Sequence, residues 1–270
     1  GLILKARLKT KEIKSPNLYL ESTILKNFKE IKNELSKKND YQYIQVDPFF
    51  RKENFAILFK ANFIKSGKNL YKKINLQSYF LERIIFKISS FFINNFTWRL
   101  FYKLFFIINN DKKSYIDLHN YHYSSKYKHM VPLICRGGLY DYEILIKKNF
   151  SKSMKKIVNF LKENKLWPIY IVIKKIYKSK NKFFYQFNEN GYAVAISLNK
   201  KNFNNYKIKL LINFIKNENF KINLSKTDEL FINKISKKNN LFLSLYKKME
   251  SEPIWIPLKL TFCDTLPVES

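Results

Sequence analysis

The sequence predicts an α+β fold in which helices cover one face of an antiparallel sheet. Segments with strand periodicity alternate with segments of helix periodicity along the 270 residues, and 46% of the residues are apolar, enough for a substantial core. The C-terminal half carries the order β-α-β-β-α-β, which is typical of a ferredoxin-like unit. Its other sheet face would stay open for a ligand or another domain.

The N-terminal segments begin with a predicted strand at 2–8. A helix follows, with Ser22 as its N-cap and an apolar face made of Ile24, Leu25, Phe28, Ile31 and Leu35. Alternation then predicts strands at 41–46 and 55–64, joined by a turn around Asp47-Pro48.

Two amphipathic helices are predicted next, at 78–93 and 97–108, each with Phe, Ile and Leu on one face and Lys or Arg on the other. Charged residues interrupt the apolar region 79–110, so it does not offer the roughly 18 uncharged apolar residues that a membrane span needs. Two interpretations stay open. The helices are a core-facing pair, or they rest on anionic lipid, for which aromatic residues beside Lys are the expected composition.

The remaining elements follow in order, starting with a strand at 114–122 and a loop that ends at Gly137-Gly138. The ferredoxin-like unit comprises strand 140–146, helix 153–161, strands 167–176 and 192–198, helix 202–215 and strand 220–224. Helices at 227–236 and 240–248 close the fold, and 255–270 reads as an irregular tail.

Composition narrows the function classes. The net charge of +30 favours anionic partners, but only five of the 51 basic residues are Arg, so nucleic acid is disfavoured as a partner. Five glycines form neither GxGxxG nor GxxxxGK[ST], so the sequence carries no recognisable nucleotide-binding loop. The two cysteines are read as reduced cytosolic thiols, and the three histidines lack partners at metal-ligand spacing.

Candidate site residues lie along the predicted strands of the unit. Asp141 and Glu143 alternate on one strand, so both side chains point to one face about 7 Å apart. Lys174 lies on the next strand, and Lys226 lies where the last strand meets the helix capped by Thr227. A Lys next to the backbone amides at the start of a helix can bind an anionic oxygen or an electron-rich ring. The alternative is that Lys174 and Lys226 are ordinary surface lysines.

Five short motifs occur in order: Tyr121-His122, then 137–143 (GGLYDYE), 171–174 (IVIK), 190–196 (NGYAVAI) and 222–228 (INLSKTD). In this order the chain resembles the substrate-binding half of the FAD-linked oxidoreductases of the vanillyl-alcohol-oxidase superfamily. The decaprenylphosphoryl-ribose 2′-epimerase oxidases are the most similar branch. The strand at 1–8 resembles the one that closes the flavin domain in that family.

The resemblance implies oxidation of a sugar, polyol or lactone hydroxyl by hydride transfer to FAD. It implies catalytic roles for Lys226, Lys174 and Tyr121, with Lys226 also against the flavin. It implies substrate contacts for Asp141, Glu143 and His122. Carboxylates stand where the family has two amides, so a neutral polyol or lactone is at least as plausible a substrate as a phosphorylated sugar. Ala195 stands where some members carry a cysteine.

The domain division that follows assigns 1–75 to the end of the flavin domain and the start of the substrate domain, 76–113 to a helical insertion, 114–252 to the substrate domain and 253–270 to the tail. FAD would be held mainly by a domain or subunit outside this chain, so the chain is expected to be a fragment, a split subunit or a decayed copy. The expected partners are that flavin domain and a sugar or polyol, which could be lipid-linked.

The expected location is cytoplasmic, with peripheral contact to the inner face of the membrane. The alternative function is a basic, non-enzymatic module on anionic membrane or nucleic acid. Binding that falls steeply with salt and shows no polyol selectivity would favour that alternative.

Overall fold

A computed structural model of the chain describes residues 15–51, 55–64, 94–118, 121, 138–178, 187, 189–200 and 204–223. Its strands are β1 (Asn17–Leu25), β2 (Tyr41–Val46), β3 (Ala56–Phe63), β4 (Lys113–Asp117), β5 (Leu139–Ile146), β6 (Tyr170–Ile176), β7 (Gly191–Asn199) and β8 (Lys221–Ile222). Its helices are α1 (Phe28–Ser36), α2 (Asn95–Asn109), α3 (Phe150–Glu163) and α4 (Asn205–Asn217). None of the helices in these described ranges has the length and apolarity to cross a bilayer.

The strands form one sheet in the order β4-β1-β3-β2-β6-β7-β5-β8, and every neighbouring pair is antiparallel. The predicted α+β class is therefore confirmed. The order is symmetric about its centre, because β1 to β4 on one side occupy the same places as β5 to β8 on the other. The two halves join where β2 pairs with β6, with Gln45 directly opposite Val172.

Strand register assigns each side chain to one of two sheet faces. The helix face carries the buried residues Ile44, Val46, Ile171, Ile173 and Val194. The far face carries the alternate positions, which include Tyr41, Tyr43, Gln45, Asp141, Glu143, Val172, Lys174, Ala195 and Ser197. This register decides which candidate side chains share a surface.

Helices α1, α3 and α4 cover the helix face. The Gln42 side chain on this face donates to the Leu35 carbonyl of α1 at 3.1 Å. Phe150 of α3 contacts Tyr192, which shares the face with Val194, at 4.5 Å between ring centroids. Phe160 of α3 stacks on Phe214 of α4 at 4.1 Å. The expected arrangement of helices on one face of the second half is present.

Helix α2 lies on the far face, over the first half of the sheet. Its buried residues Trp98, Tyr102 and Phe106 pack with Ile57 and Phe59 of β3. This helix differs from the predicted amphipathic pattern, because large apolar side chains occupy an exposed arc as well as the buried one. The helix predicted at 97–108 is present, with apolar side chains on two sides of the helix and not on one.

The N-cap assigned to Ser22 was wrong. Ser22 lies inside β1, which pairs with both β3 and β4, and its hydroxyl donates to carbonyls of residues 109 and 112. The α1 helix begins at Phe28, and Asn27 is its cap, accepting from the Glu30 amide at 2.9 Å. Ile24 and Leu25 therefore belong to a strand and not to the apolar helix face.

The other predicted elements that fall in the described ranges are present with shifted ends. Strand 41–46 has the predicted bounds, whereas the strand predicted at 114–122 ends at Asp117. The predictions at 2–8, 78–93, 227–236, 240–248 and 255–270 lie outside the described residues. The domain boundaries stay predictions.

Candidate functional site

The far face of the second half carries the polar candidates. One row of paired residues runs Glu143, Ala195, Val172 across β5, β7 and β6, and the next runs Asp141, Ser197, Tyr170. Small side chains on β7 therefore lie between two carboxylates on β5 and larger residues on β6. The row through Ala195 continues across the β2–β6 junction to Gln45.

The equivalent row in the first half is apolar. Ile24 pairs with Ile57, and Ile57 pairs with Gln45, so Ile24 occupies the place that Glu143 occupies in the second half. Ile24 and Ile57 pack in the cluster beneath α2. The same sheet position is thus an apolar core contact in one half and a buried carboxylate in the other.

Each carboxylate has a hydrogen-bond donor on the same face. The Ser197 hydroxyl donates to the Asp141 carboxylate on the neighbouring strand. The Asn223 side-chain amide donates to Glu143 Oε2, and the Asn223 backbone amide donates to the Glu143 carbonyl at 2.8 Å. Glu143 and Asn223 are 6% and 5% exposed, so this pair is a buried polar contact.

Lys174 is exposed on the same face of β6. It follows Ile173, which pairs with Ile44, so one further step of this register brings Lys174 beside Tyr43. Strand spacing puts the Cα atoms of Lys174 and Glu143 roughly 12 Å apart.

Tyr121 lies against Tyr41 of β2, with ring centroids 5.4 Å apart. Tyr41 belongs to the far face, which brings Tyr121 to the side of the sheet that carries Lys174. Burial, with a smaller effect from Tyr41, raises the pKa of Tyr121 to about 12. At neutral pH this phenol is protonated and can donate a hydrogen bond.

The structure thus places Asp141, Glu143 and Lys174 on one sheet face, whereas Tyr121 lies against Tyr41, which strand spacing puts about 20 Å from Glu143 on that face. Lys226 and His122 lie outside the described residues. Within the described ranges, no three His, Cys, Asp or Glu side chains converge as metal ligands. Sequence reasoning missed Ser197 and Asn223, because their contacts depend on strand order; the place of Asn223 inside the predicted strand 220–224 was the available signal.

Known protein families and curated proteins were compared with the whole sequence. No family model matches it, and the search of curated proteins gives no match.

Proposed function

We propose that the chain is the substrate-binding portion of an FAD-dependent oxidoreductase that oxidises a hydroxyl of a sugar, polyol or lactone. The observation that carries the proposal is the shared far face of Asp141, Glu143 and Lys174, with the Tyr121 ring against the same face. Helices α1, α3 and α4 occupy the opposite face, whereas α2 covers the far face of the first half.

We also infer that residues 139–222 form a ferredoxin-like unit. The element order β5-α3-β6-β7-α4-β8 and the antiparallel order β6-β7-β5-β8 support this assignment. Contacts of α3 with Tyr192 and α4 support a single helical layer over the sheet.

The carboxylates favour a neutral, hydroxyl-rich substrate. An ionised carboxylate offers about four acceptor positions, so Asp141 and Glu143 can each accept from more than one donor. Sugar hydroxyls are matching donors. A phosphate group in the same place would meet two negative charges, and of the two described lysines on that face, Lys174 and Lys221, the second is already paired with Glu189 at 2.9 Å.

The proton of the oxidised hydroxyl has to go to a group that is unprotonated at working pH. Tyr121 does not meet that condition, because its pKa is raised to about 12, so we assign it the role of a hydrogen-bond donor to substrate oxygen. A carboxylate of the site, or the Lys226 amine in its neutral form, would take the proton. The family resemblance implies that Lys226 contacts the flavin, and the proposal retains that contact.

A bound flavin would supply the hydride acceptor. A flat ring on the far face would lie over the small side chains of Ala195 and Ser197, which separate the β5 carboxylates from Val172 and Tyr170 of β6. Only five glycines occur in the sequence, so the pyrophosphate is assigned to a domain or subunit outside this chain. The residues of this chain would orient the substrate and exclude water.

The first experiment measures binding of ribitol, gulonolactone and ribose 5-phosphate to the purified chain by saturation-transfer NMR. We expect ribitol and gulonolactone, the two neutral ligands, to bind. The double variant Asp141→Asn, Glu143→Gln should lower their affinity about tenfold or more, because charge-assisted hydrogen bonds are lost. Glu163→Gln on α3 is the matched control and leaves binding unchanged. Equal binding by the site variant would contradict the assignment.

The second experiment tests oxidation in the native protein, purified without denaturation from its own cells. We expect a visible flavin band that is bleached by the neutral ligand under anaerobic conditions. A preparation without flavin, or a flavin band that no member of a polyol and lactone panel bleaches, would contradict the proposal. Lys226→Ala should slow bleaching without loss of the band.

A basic module on anionic membrane is the second candidate, and one observation favours it. Exposed apolar side chains lie on α2 within a chain of net charge +30. A membrane contact does not exclude the oxidoreductase function, so the two are tested separately.

A further inference from the structure

Helix α2 exposes a row of large apolar side chains on the side turned away from the sheet. Phe96 is 76% exposed, Ile108 64% and Ile107 60%, and the row also includes Leu100, Leu104 and Phe101. At 3.6 residues per turn, these six positions fall within an arc of about 140°. An apolar arc of this width on one helix is a contact surface rather than scattered exposure.

The opposite side of α2 is fixed to the sheet. Trp98 Nε1 and the Tyr102 hydroxyl both donate to the Ile169 carbonyl, at 3.2 and 2.9 Å, and Gln45 donates to the Tyr102 hydroxyl at 3.0 Å. Phe106 is fully buried beside them. These contacts fix the rotation of the helix, so the exposed arc cannot turn inward.

The charges on and around α2 indicate the chemical class of partner that its apolar arc contacts. The helix contains no acidic residue, and Arg99 and Lys103 border the apolar arc on one side. Arg99 reaches back over Phe49 and Trp167, at 5.2 and 5.6 Å from the ring centroids, which leaves Lys103 as the outward cation of this border. A second copy of a chain with net charge +30 would be repelled, whereas anionic lipid would be attracted.

We propose that α2 docks the protein on an anionic membrane surface. The apolar arc enters the interface between headgroups and acyl chains, and Lys103 contacts anionic headgroups. Helix α2 has 15 residues and a length of about 22 Å, so it lies in the plane of the interface with the sheet above it. This surface is independent of the oxidoreductase proposal.

The test is flotation of the full chain with phosphatidylcholine vesicles, with and without phosphatidylglycerol, over a series of salt concentrations. We expect binding to the anionic vesicles that falls with salt. The variant Leu100→Gln, Leu104→Gln, Ile107→Gln should bind about a hundredfold more weakly, given the apolar area it removes. Glutamine keeps helix propensity, and circular dichroism checks that the variant folds.

Matched controls distinguish vesicle binding through α2 from nonspecific vesicle binding. Tyr206→Gln removes an equally exposed apolar side chain from α4, where Tyr206 is 67% exposed, and should leave vesicle binding unchanged. Lys103→Gln should weaken binding to anionic vesicles more than Lys209→Gln on α4. The two lysine variants keep the test valid even if the triple variant unfolds.

Several results would overturn the proposal. One is a folded triple variant that binds anionic vesicles as the wild type does, and another is wild-type chain that fails to bind them at low salt. A dimer that the triple variant abolishes would assign the surface to a second copy. A third is a chain that binds double-stranded DNA but not vesicles. If the triple variant leaves that DNA binding unchanged, the basic residues serve nucleic-acid binding and α2 is not a membrane contact.

Discussion

The rings of Phe28 and Phe150 meet edge to face, with centroids 6.3 Å apart. Each is the first residue of the helix that follows the first strand of its half, α1 after β1 and α3 after β5. Both rings are buried. The contact therefore links equivalent positions of the two halves on the helix face, while the β2–β6 pairing links them through the sheet.

This contact predicts energetic coupling between the halves. Phe28→Ala and Phe150→Ala should each destabilise the fold by about 3–5 kcal/mol, and the double variant should show a coupling energy of about 0.5–1.5 kcal/mol. Urea unfolding of the four proteins measures it. Phe28→Ala combined with Phe214→Ala, a ring that packs on Phe160, should be additive. Independent unfolding of two halves would contradict the prediction.

The elements that sequence reasoning found are those with strong local patterns. Strand β2 is rich in aromatic and β-branched residues, and α3 has apolar residues at helical spacing, Met154, Ile157, Val158 and Leu161, all of which are buried. Strand β1 was missed, because its apolar residues fit a helical face together with Phe28. Pairing with β3 and β4, far along the chain, decides its structure. Asn27 and Glu30 were the local signal for the true helix start.

The site could be predicted only in part. Alternation along β5 was enough to give Asp141 and Glu143 a common face. Their partners Ser197 and Asn223 come from β7 and from beyond β8, and only strand order brings them close. The local sequence of β5 does not indicate which strands pair with it.

The buried contact between Glu143 and Asn223 predicts a stability loss when the amide is removed. Asn223→Ala leaves a buried carboxylate without this donor and should cost about 1–3 kcal/mol in the free energy of unfolding. Asn213→Ala on α4, where the side chain is exposed, should change stability by no more than about 0.5 kcal/mol. Equal effects in urea unfolding would show that the contact is not stabilising.

The raised pKa of Tyr121 predicts a loss of stability at high pH. Its pKa is 10.0 in a model phenol and about 12 in the fold, so the unfolded chain releases the proton first. Stability from this group is full below pH 10 and declines as pH rises toward 12. Tyr121→Phe should reduce the decline measured by urea unfolding, whereas Tyr115→Phe, at an exposed position, should not. An unchanged pH profile in Tyr121→Phe would contradict the raised pKa.

The turn after β2 predicts a role for charge in holding α2 on the sheet. Asp47 is fully buried and accepts from the amides of Phe49 and Arg51, both at 3.1 Å, and from Arg51 Nε at 2.6 Å. The Arg51 guanidinium lies 5.9 Å from the Phe106 ring of α2, so the carboxylate orients a cation that contacts the helix.

Asp47→Asn keeps one acceptor for the turn but loses the charge-assisted bond, and should lower the free energy of unfolding by roughly 1.5–3 kcal/mol. Asp40→Asn, at an exposed position before β2, is the control. It also accepts from a backbone amide, that of Phe63, but does not bind Arg51. Trp98 is buried against the same cluster, so its fluorescence in urea, measured in a Trp167→Phe, Trp255→Phe background, reports the helix. If Asp47→Asn and Asp40→Asn shift that transition equally, the turn does not hold α2 through Arg51.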